Sequence, residues 1–137
     1  MRRYVIASHG KMADGIRTTV EIIMGEQENL FCISAYTENC KDPMPEFQKV
    51  LGQYPKDDIV IMTDLPGGSV NNQAMALMSE SRVYVVTGIS LPLVIGILMS
   101  DMEEDTDKII REAVAEAKEA MVYCEMVEGD AVEEEDF

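Results

Sequence analysis

Ile59-Val60-Ile61-Met62-Thr63-Asp64-Leu65-Pro66-Gly67-Gly68-Ser69 is the stretch whose reading decides the fold. Its first four residues are apolar and mostly β-branched, the pattern of a strand covered on both faces. An aspartate, a proline, two glycines and a serine then follow in quick succession, the composition of a tight passage from a strand into a helix. Three more apolar runs of the same kind, Tyr4 to Ala7, Leu30 to Ala35 and Val83 to Val86, are separated by segments with helical periodicity. The alternation predicts an α/β fold, an open doubly wound and mainly parallel sheet built from βαβ units with strand order 2-1-3-4.

Outward from that stretch, the connecting segments read as helices. Ile16, Val20, Ile23 and Met24 recur at helical spacing before a stop at Gly25, and Phe47, Val50 and Leu51 form a stripe behind Pro43 and Pro45, ending near Gly52. Ser69 is predicted to be the N-cap of the next helix, with Ala74, Leu77 and Met78 on one face. Pro92 opens an apolar helix through Met99, and Asp105 to Met121 gives a longer amphipathic one with Ile109, Ile110, Ala113, Val114 and Ala117 inward. Val122 to Val127 reads equally well as a last short strand or as a fraying helix end.

Composition bounds the function. A chain of 137 residues is expected to form one domain, residues 1-128, followed by an acidic tail at 129-137 predicted to be disordered. The net charge of -15 repels nucleic acid and anionic lipid and favours basic protein surfaces. No apolar run approaches the ~18 residues a membrane span needs, and no export leader opens the chain, so a soluble cytoplasmic protein is expected. Cys32, Cys40 and Cys124 are odd in number and widely spaced, which suits free thiols better than disulfides or zinc, with Cys32 expected in the core. The methionines, Met75, Met78, Met99 and Met121 among them, are predicted to fill core gaps and suggest no copper site. The scattered tyrosines Tyr4, Tyr36, Tyr54, Tyr84 and Tyr123 lack the basic surround that nucleic-acid stacking requires.

Chemistry belongs beyond the carboxyl ends of the strands, where connections from two neighbouring strands leave for opposite faces. In the order 2-1-3-4 the loops Ser8-His9-Gly10 and Asp64 to Ser69 flank that point, which brings the only histidine, His9, within reach of Asp64. The Asp64 carboxylate is expected to accept Nδ1–H, fixing the tautomer and leaving Nε2 as a nucleophile. Gly67 and Gly68 allow backbone N–H groups to face an anion, and Ser69 opens a helix whose positive end favours negative charge. Neither loop has a well-placed Lys or Arg, Lys11 being the nearest cation. Each feature has a blander reading: a lone histidine is commonly a surface residue, Asp64 can cap a turn, and a glycine pair can simply connect two elements. Their coincidence at one end of two neighbouring strands gives the catalytic reading its weight.

These residues resemble the mannose-type IIA components of the bacterial phosphoenolpyruvate-dependent sugar phosphotransferase system, over roughly Tyr4 to Ala120. The resemblance rests on Ser8-His9-Gly10, on Gly25-Glu26-Gln27-Glu28-Asn29, on Asp64 to Ser69 with Asn72, and on Gly88-Ile89-Ser90-Leu91-Pro92. It implies that His9 accepts a phosphoryl group from the phosphocarrier protein HPr and donates it to a IIB component, that Asp64 orients the ring, and that Ser69 with the amides of Gly67 and Gly68 cradles the phosphate. It further implies sugar uptake with phosphorylation, no cofactor, no metal, contact with the membrane only through a IIC/IID permease, and a homodimer that exchanges a fifth, carboxyl-terminal strand. Val70 stands where the family often has proline, and the acidic tail stands where some members continue into a IIB domain. The alternatives are the phosphotransfer subunit of a dihydroxyacetone kinase and a non-catalytic regulatory binding domain. A receiver-type signalling switch needs an acidic pair after the first strand, where this chain has Ser8-His9-Gly10.

Overall fold

The computed structural model describes residues 1–126. Along the chain lie β1 (Arg2–His9), α1 (Met12–Met24), β2 (Leu30–Ala35), α2 (Pro43–Gln53), β3 (Asp58–Thr63), α3 (Ser69–Ala76), a short 3-10 turn at Leu77–Ser79, β4 (Val83–Thr87), α4 (Leu91–Leu98) and α5 (Thr106–Glu119). The four strands form one parallel sheet in the order β2-β1-β3-β4, as the alternation of apolar runs and helical stripes predicted.

Period-two alternation along the central strands divides the core in two. Tyr4 and Ile6 of β1 with Val60 and Met62 of β3 face a cluster completed by α1, α4 and α5, including Val20, Leu93, Val94, Ile97 and Ile109. Val5, Ala7, Ile59 and Ile61 face the other cluster, with Phe47 and Leu51 of α2 and Val70 and Ala74 of α3. Each such side chain, removed fully from water, contributes about 1.5–3 kcal/mol before the entropy of ordering is set against it. The helix starts are capped by their own sequence: Asp42 accepts from Met44 N–H ahead of Pro43, Ser90 from Leu93 N–H ahead of Pro92, and Asp105 from Lys108 N–H.

Several local expectations need correction. Gly68, not Ser69, is the N-cap of α3, because the Gly67-Gly68 turn completes the reversal first and Ser69 becomes the first helical residue. Met78 is exposed and Leu77 half-buried, since the helix tightens into a 3-10 turn after Ala76 and the 3.6-residue period ends there. Met75, Met78, Met99 and Met121, predicted to fill the core, are all exposed; Met99 and Met121 lie just past the ends of α4 and α5, where none of the described residues covers them. Cys32 is half-buried against the core, and burial still pushes its thiol up to about 11, too high for a ready nucleophile. Residues 121–126 carry no strand, while Val127 and the acidic tail at 129-137 lie outside the described residues.

The amino end of the sheet is closed by arginines. Arg2, 3 % exposed, donates from Nε to Thr106 Oγ1 (3.0 Å) and from its Nη atoms to Ser100 Oγ and the Asp101 and Glu104 carbonyls, while Thr106 donates onward to Asp58 at 2.6 Å. Arg82 spans the carbonyls of Leu51, Tyr54 and Asp57, and Arg3 pairs with Asp57 at 3.0 Å while lying over the Tyr54 ring.

Candidate functional site

At the opposite end, β1 and β3 are neighbours whose connections separate: α1 packs on one face of the sheet and α3 on the other. This is the switch point, and His9 and Asp64 stand on either side of it. Local chemistry sets the first loop. Ser8 is fully buried, and its hydroxyl accepts from Ala13 N–H at 2.8 Å while donating to the Gly10 carbonyl, so it caps α1 from inside the strand. Gly10 takes φ 62°, a left-handed turn that a side chain would resist, and its N–H returns to the Ala35 carbonyl of β2 at 2.8 Å. The chain therefore reverses immediately after His9, leaving the imidazole at the rim with its side chain 42 % exposed.

Asp64 grips His9 at two points through one oxygen. Oδ2 accepts from the His9 backbone N–H at 2.8 Å and lies 2.9 Å from Nδ1. Burial works to raise the Asp64 pKa, but the hydrogen bonds and charge of His9 outweigh it and hold the carboxyl below its ordinary range, so it is an acceptor at neutral pH. The proton between them then sits on Nδ1, and in the neutral imidazole Nε2 is left as an acceptor. Asp64 Oδ1 is buried without a hydrogen-bond partner among the described residues.

The glycine loop fits closely against the ring. A Cβ at Gly68 would stand 3.2 Å from His9 Cε1 and 3.3 Å from the Leu65 carbonyl oxygen, a gap only glycine leaves open. The Gly68 N–H is bonded to that same Leu65 carbonyl, so Gly68 serves the site here through its missing side chain. Asn72 donates to the Gly67 carbonyl at 3.2 Å and braces the turn. Ser69 Oγ lies 3.4 Å from His9 Nε2, at the mouth of α3.

One neighbour escaped the reading of the sequence. Tyr36, the residue after β2, places its hydroxyl 2.7 Å from Ser69 Oγ and its ring centroid 5.4 Å from that of His9. Its position was a usable signal: β2 flanks β1, Ala35 is in register with His9, and the residue beyond a strand next to a switch point belongs among the candidates. Counting tyrosines for nucleic-acid stacking obscured it. Lys11 lines a cavity of about 650 Å³ beside the site with Asp14, Tyr36 and Glu46, and forms no ion pair among the described residues. No cluster of three or more His, Cys, Asp or Glu placed to hold a metal ion occurs among the described residues, and no helix there is long and apolar enough to cross a membrane.

Fold and site together define a doubly wound α/β domain that carries a carboxylate-oriented imidazole at its switch point. Residues 3–114 match the family described as PTS system fructose IIA component, EIIA-man, and the chain belongs to this mannose-type IIA family of the sugar phosphotransferase system. The sorbose-specific EIIA component of Klebsiella pneumoniae is 26 % identical over 132 residues, covering 96 % of each chain. The mannose-specific EIIAB component of Escherichia coli (strain K12) is 27 % identical over 121 residues, 85 % of this chain but 38 % of that protein. The chain thus spans well under half the length of that relative. Among solved structures, one described as a sugar phosphotransferase system permease from Klebsiella pneumoniae superposes with a TM-score of 0.83 at 36 % identity, covering 90 % of both chains. The mannose/sorbose specific IIA subunit from Enterococcus faecalis shares the fold at a TM-score of 0.82 and 22 % identity, covering 93 % of this chain and 97 % of that one.

Proposed function

We propose that this protein is a phosphohistidine carrier that accepts a phosphoryl group from phospho-HPr on His9 Nε2 and donates it to a IIB component, driving sugar uptake with phosphorylation. The observation that carries the reading is the two-point hold of Asp64 on His9, which fixes both ring orientation and tautomer and leaves Nε2 without a proton on a side chain 42 % exposed. The nucleophile needs no base, because Nε2 carries no proton; the Ser69 hydroxyl 3.4 Å away has only to turn aside as phosphorus approaches. Arriving phosphate, with nearly two negative charges, meets the amino end of α3 and the hydroxyl of Ser69, with Gly67 and Gly68 shaping the cradle. The carrier works in the cytoplasm and reaches the membrane only through the IIC/IID permease that its IIB acceptor serves.

Incubation with phosphoenolpyruvate, the general phosphotransfer enzyme and HPr tests this directly. The wild type is expected to take up acid-labile, base-stable phosphate and His9→Ala none; equal labelling of the variant would sink the assignment. Asp64→Ala is expected to slow transfer about 10²-fold with the fold intact, because the ring then samples both tautomers and many orientations.

The homodimer belongs to the same reading. Met121, Val122, Tyr123 and Met126 are exposed apolar side chains at the end of the described chain, and β4 is an edge strand flanked by Ile110 and Val114. A strand from that segment laid along β4 of a second copy would cover both, and removal of residues 121–137 would then convert a dimer to a monomer in light scattering.

A further inference from the structure

Tyr36 is the one non-glycine residue of the described chain with a positive φ, 62°, and it stands at the site. An L-residue in the left-handed region costs about 1–2 kcal/mol, and such a conformation persists only where the surroundings over-determine it. At Tyr36 the turn is tied by Thr37, whose hydroxyl donates to the Ser34 carbonyl at 2.7 Å, and the side chain adds its own contacts: the hydroxyl meets Ser69 Oγ at 2.7 Å and the ring lies tilted by 42° against the imidazole.

Proton counting links the directions of these contacts. Nδ1–H is committed to Asp64, so Nε2 can only accept. The hydroxyl of Ser69, 3.4 Å from Nε2, is a long donor to it when its one proton points that way. With the Ser69 proton so placed, the 2.7 Å contact runs from Tyr36 O–H to Ser69 Oγ. The three groups form a relay, Tyr36 to Ser69 to Nε2, in which each donor is polarised by the one behind it.

We propose that Tyr36 is a positioning residue of the carrier site that acts through Ser69, an inference that rests on His9 being the phosphoryl acceptor. By occupying a lone pair of Ser69 Oγ, Tyr36 keeps the serine proton aimed at the space in front of Nε2. During transfer the Nε2 lone pair forms the new bond to phosphorus as the donor's bond to phosphorus breaks, its electron pair returning to the donor atom, and no proton leaves the ring. The Ser69 proton then turns a short distance from Nε2 to a phosphoryl oxygen, with Tyr36 still behind it. Aligning the hydroxyl in advance speeds transfer and shields the phosphohistidine from water.

The test is a cycle of Tyr36→Phe, Ser69→Ala and the double variant in the full chain, read by the rate of transfer from phospho-HPr and by the ¹⁵N resonances of the His9 ring in the unphosphorylated protein. Tyr36→Phe keeps the ring and removes only the donor. It is expected to slow transfer about 3- to 10-fold, the worth of one hydrogen bond, and to change it less than about twofold when Ser69 is already alanine. It should also move the Nε2 resonance while leaving Nδ1 in place, and do neither in the Ser69→Ala background. An equal slowing in both backgrounds, or no slowing at all, overturns the relay. If the wild type takes up no phosphate on His9, the carrier reading fails by itself. The resonances then decide the relay, which survives if Nε2 moves in the single variant and falls if it does not.

Discussion

The two ends of the sheet are built to opposite standards. At the amino end, Arg2, Arg3 and Arg82 tie loops to strands with nearly every donor placed, and Arg2 is as buried as the apolar core. At the carboxyl end, one Asp64 oxygen has no partner among the described residues, Ser69 reaches Nε2 only at 3.4 Å, and Tyr36 holds a costly backbone angle. Satisfied hydrogen bonds keep an end closed; open valences and strain are what the proposed carrier site needs for a charged group that comes and goes. The difference separates residues that hold the fold from residues that use it.

The largest effect on that contrast should come from Arg2. Arg2→Met keeps the buried stem but strands Thr106, Ser100 and two carbonyls, and should destabilise the fold by about 3 kcal/mol in urea unfolding. Below the unfolding temperature its phosphoryl transfer should match the wild type. A stable Arg2→Met protein, or a folded one with impaired transfer, would mean that the two ends do not divide the work in this way.

That division also marks what was legible in the sequence. The strands, their order and the His9–Asp64 pair could be read because each depends on apolar periodicity and a topological rule, both of which survive without coordinates. The place of Tyr36 beyond β2 marked it as a candidate neighbour, but its contact with Ser69 was hidden, because it accompanies a left-handed turn at a residue type that rarely makes one. The amino-end clamp was also hidden: Arg2 precedes the apolar run, and its partners Ser100, Asp101, Glu104 and Thr106 lie about 100 positions away. The exposed methionines failed for a related reason, since periodicity finds a helix face but not whether a second layer covers it.

A smaller effect contrasts two glycines. Gly68→Ala adds a Cβ against His9 Cε1 and the Leu65 carbonyl and weakens the N-cap of α3, so transfer by the folded protein should fall a few-fold, about 1 kcal/mol at the transition state, and the unfolding midpoint should drop slightly. Gly52→Ala, in α2 with nothing within 4 Å of the added carbon, should stabilise by about 0.5 kcal/mol and leave transfer alone. Normal transfer by Gly68→Ala would show that the ring does not need the space that glycine leaves.

The smallest expected effect compares the two carboxylates at the two ends as pH falls. The hydrogen bond from Arg3 leads the causes that hold Asp57 below its ordinary pKa; at Asp64, burial pushes upward and His9 overcomes it. A carboxylate whose folded pKa is depressed adds stability that is complete above its unfolded pKa, near 3.9, and is lost as pH drops through the folded value. Urea unfolding between pH 6 and 3 should therefore show the wild type losing stability toward the acid end, with Asp57→Asn and Asp64→Asn each losing less over the same range. The two variants should differ in what else they change. Asp57→Asn should leave transfer untouched, whereas Asp64→Asn, whose neutral amide oxygen holds Nδ1–H more weakly than a carboxylate does, should slow it at every pH. An acid slope in Asp64→Asn as steep as the wild type would show that the His9–Asp64 contact adds nothing to stability, so that the carboxyl end owes even less of its order to this pair than the contrast between the ends requires.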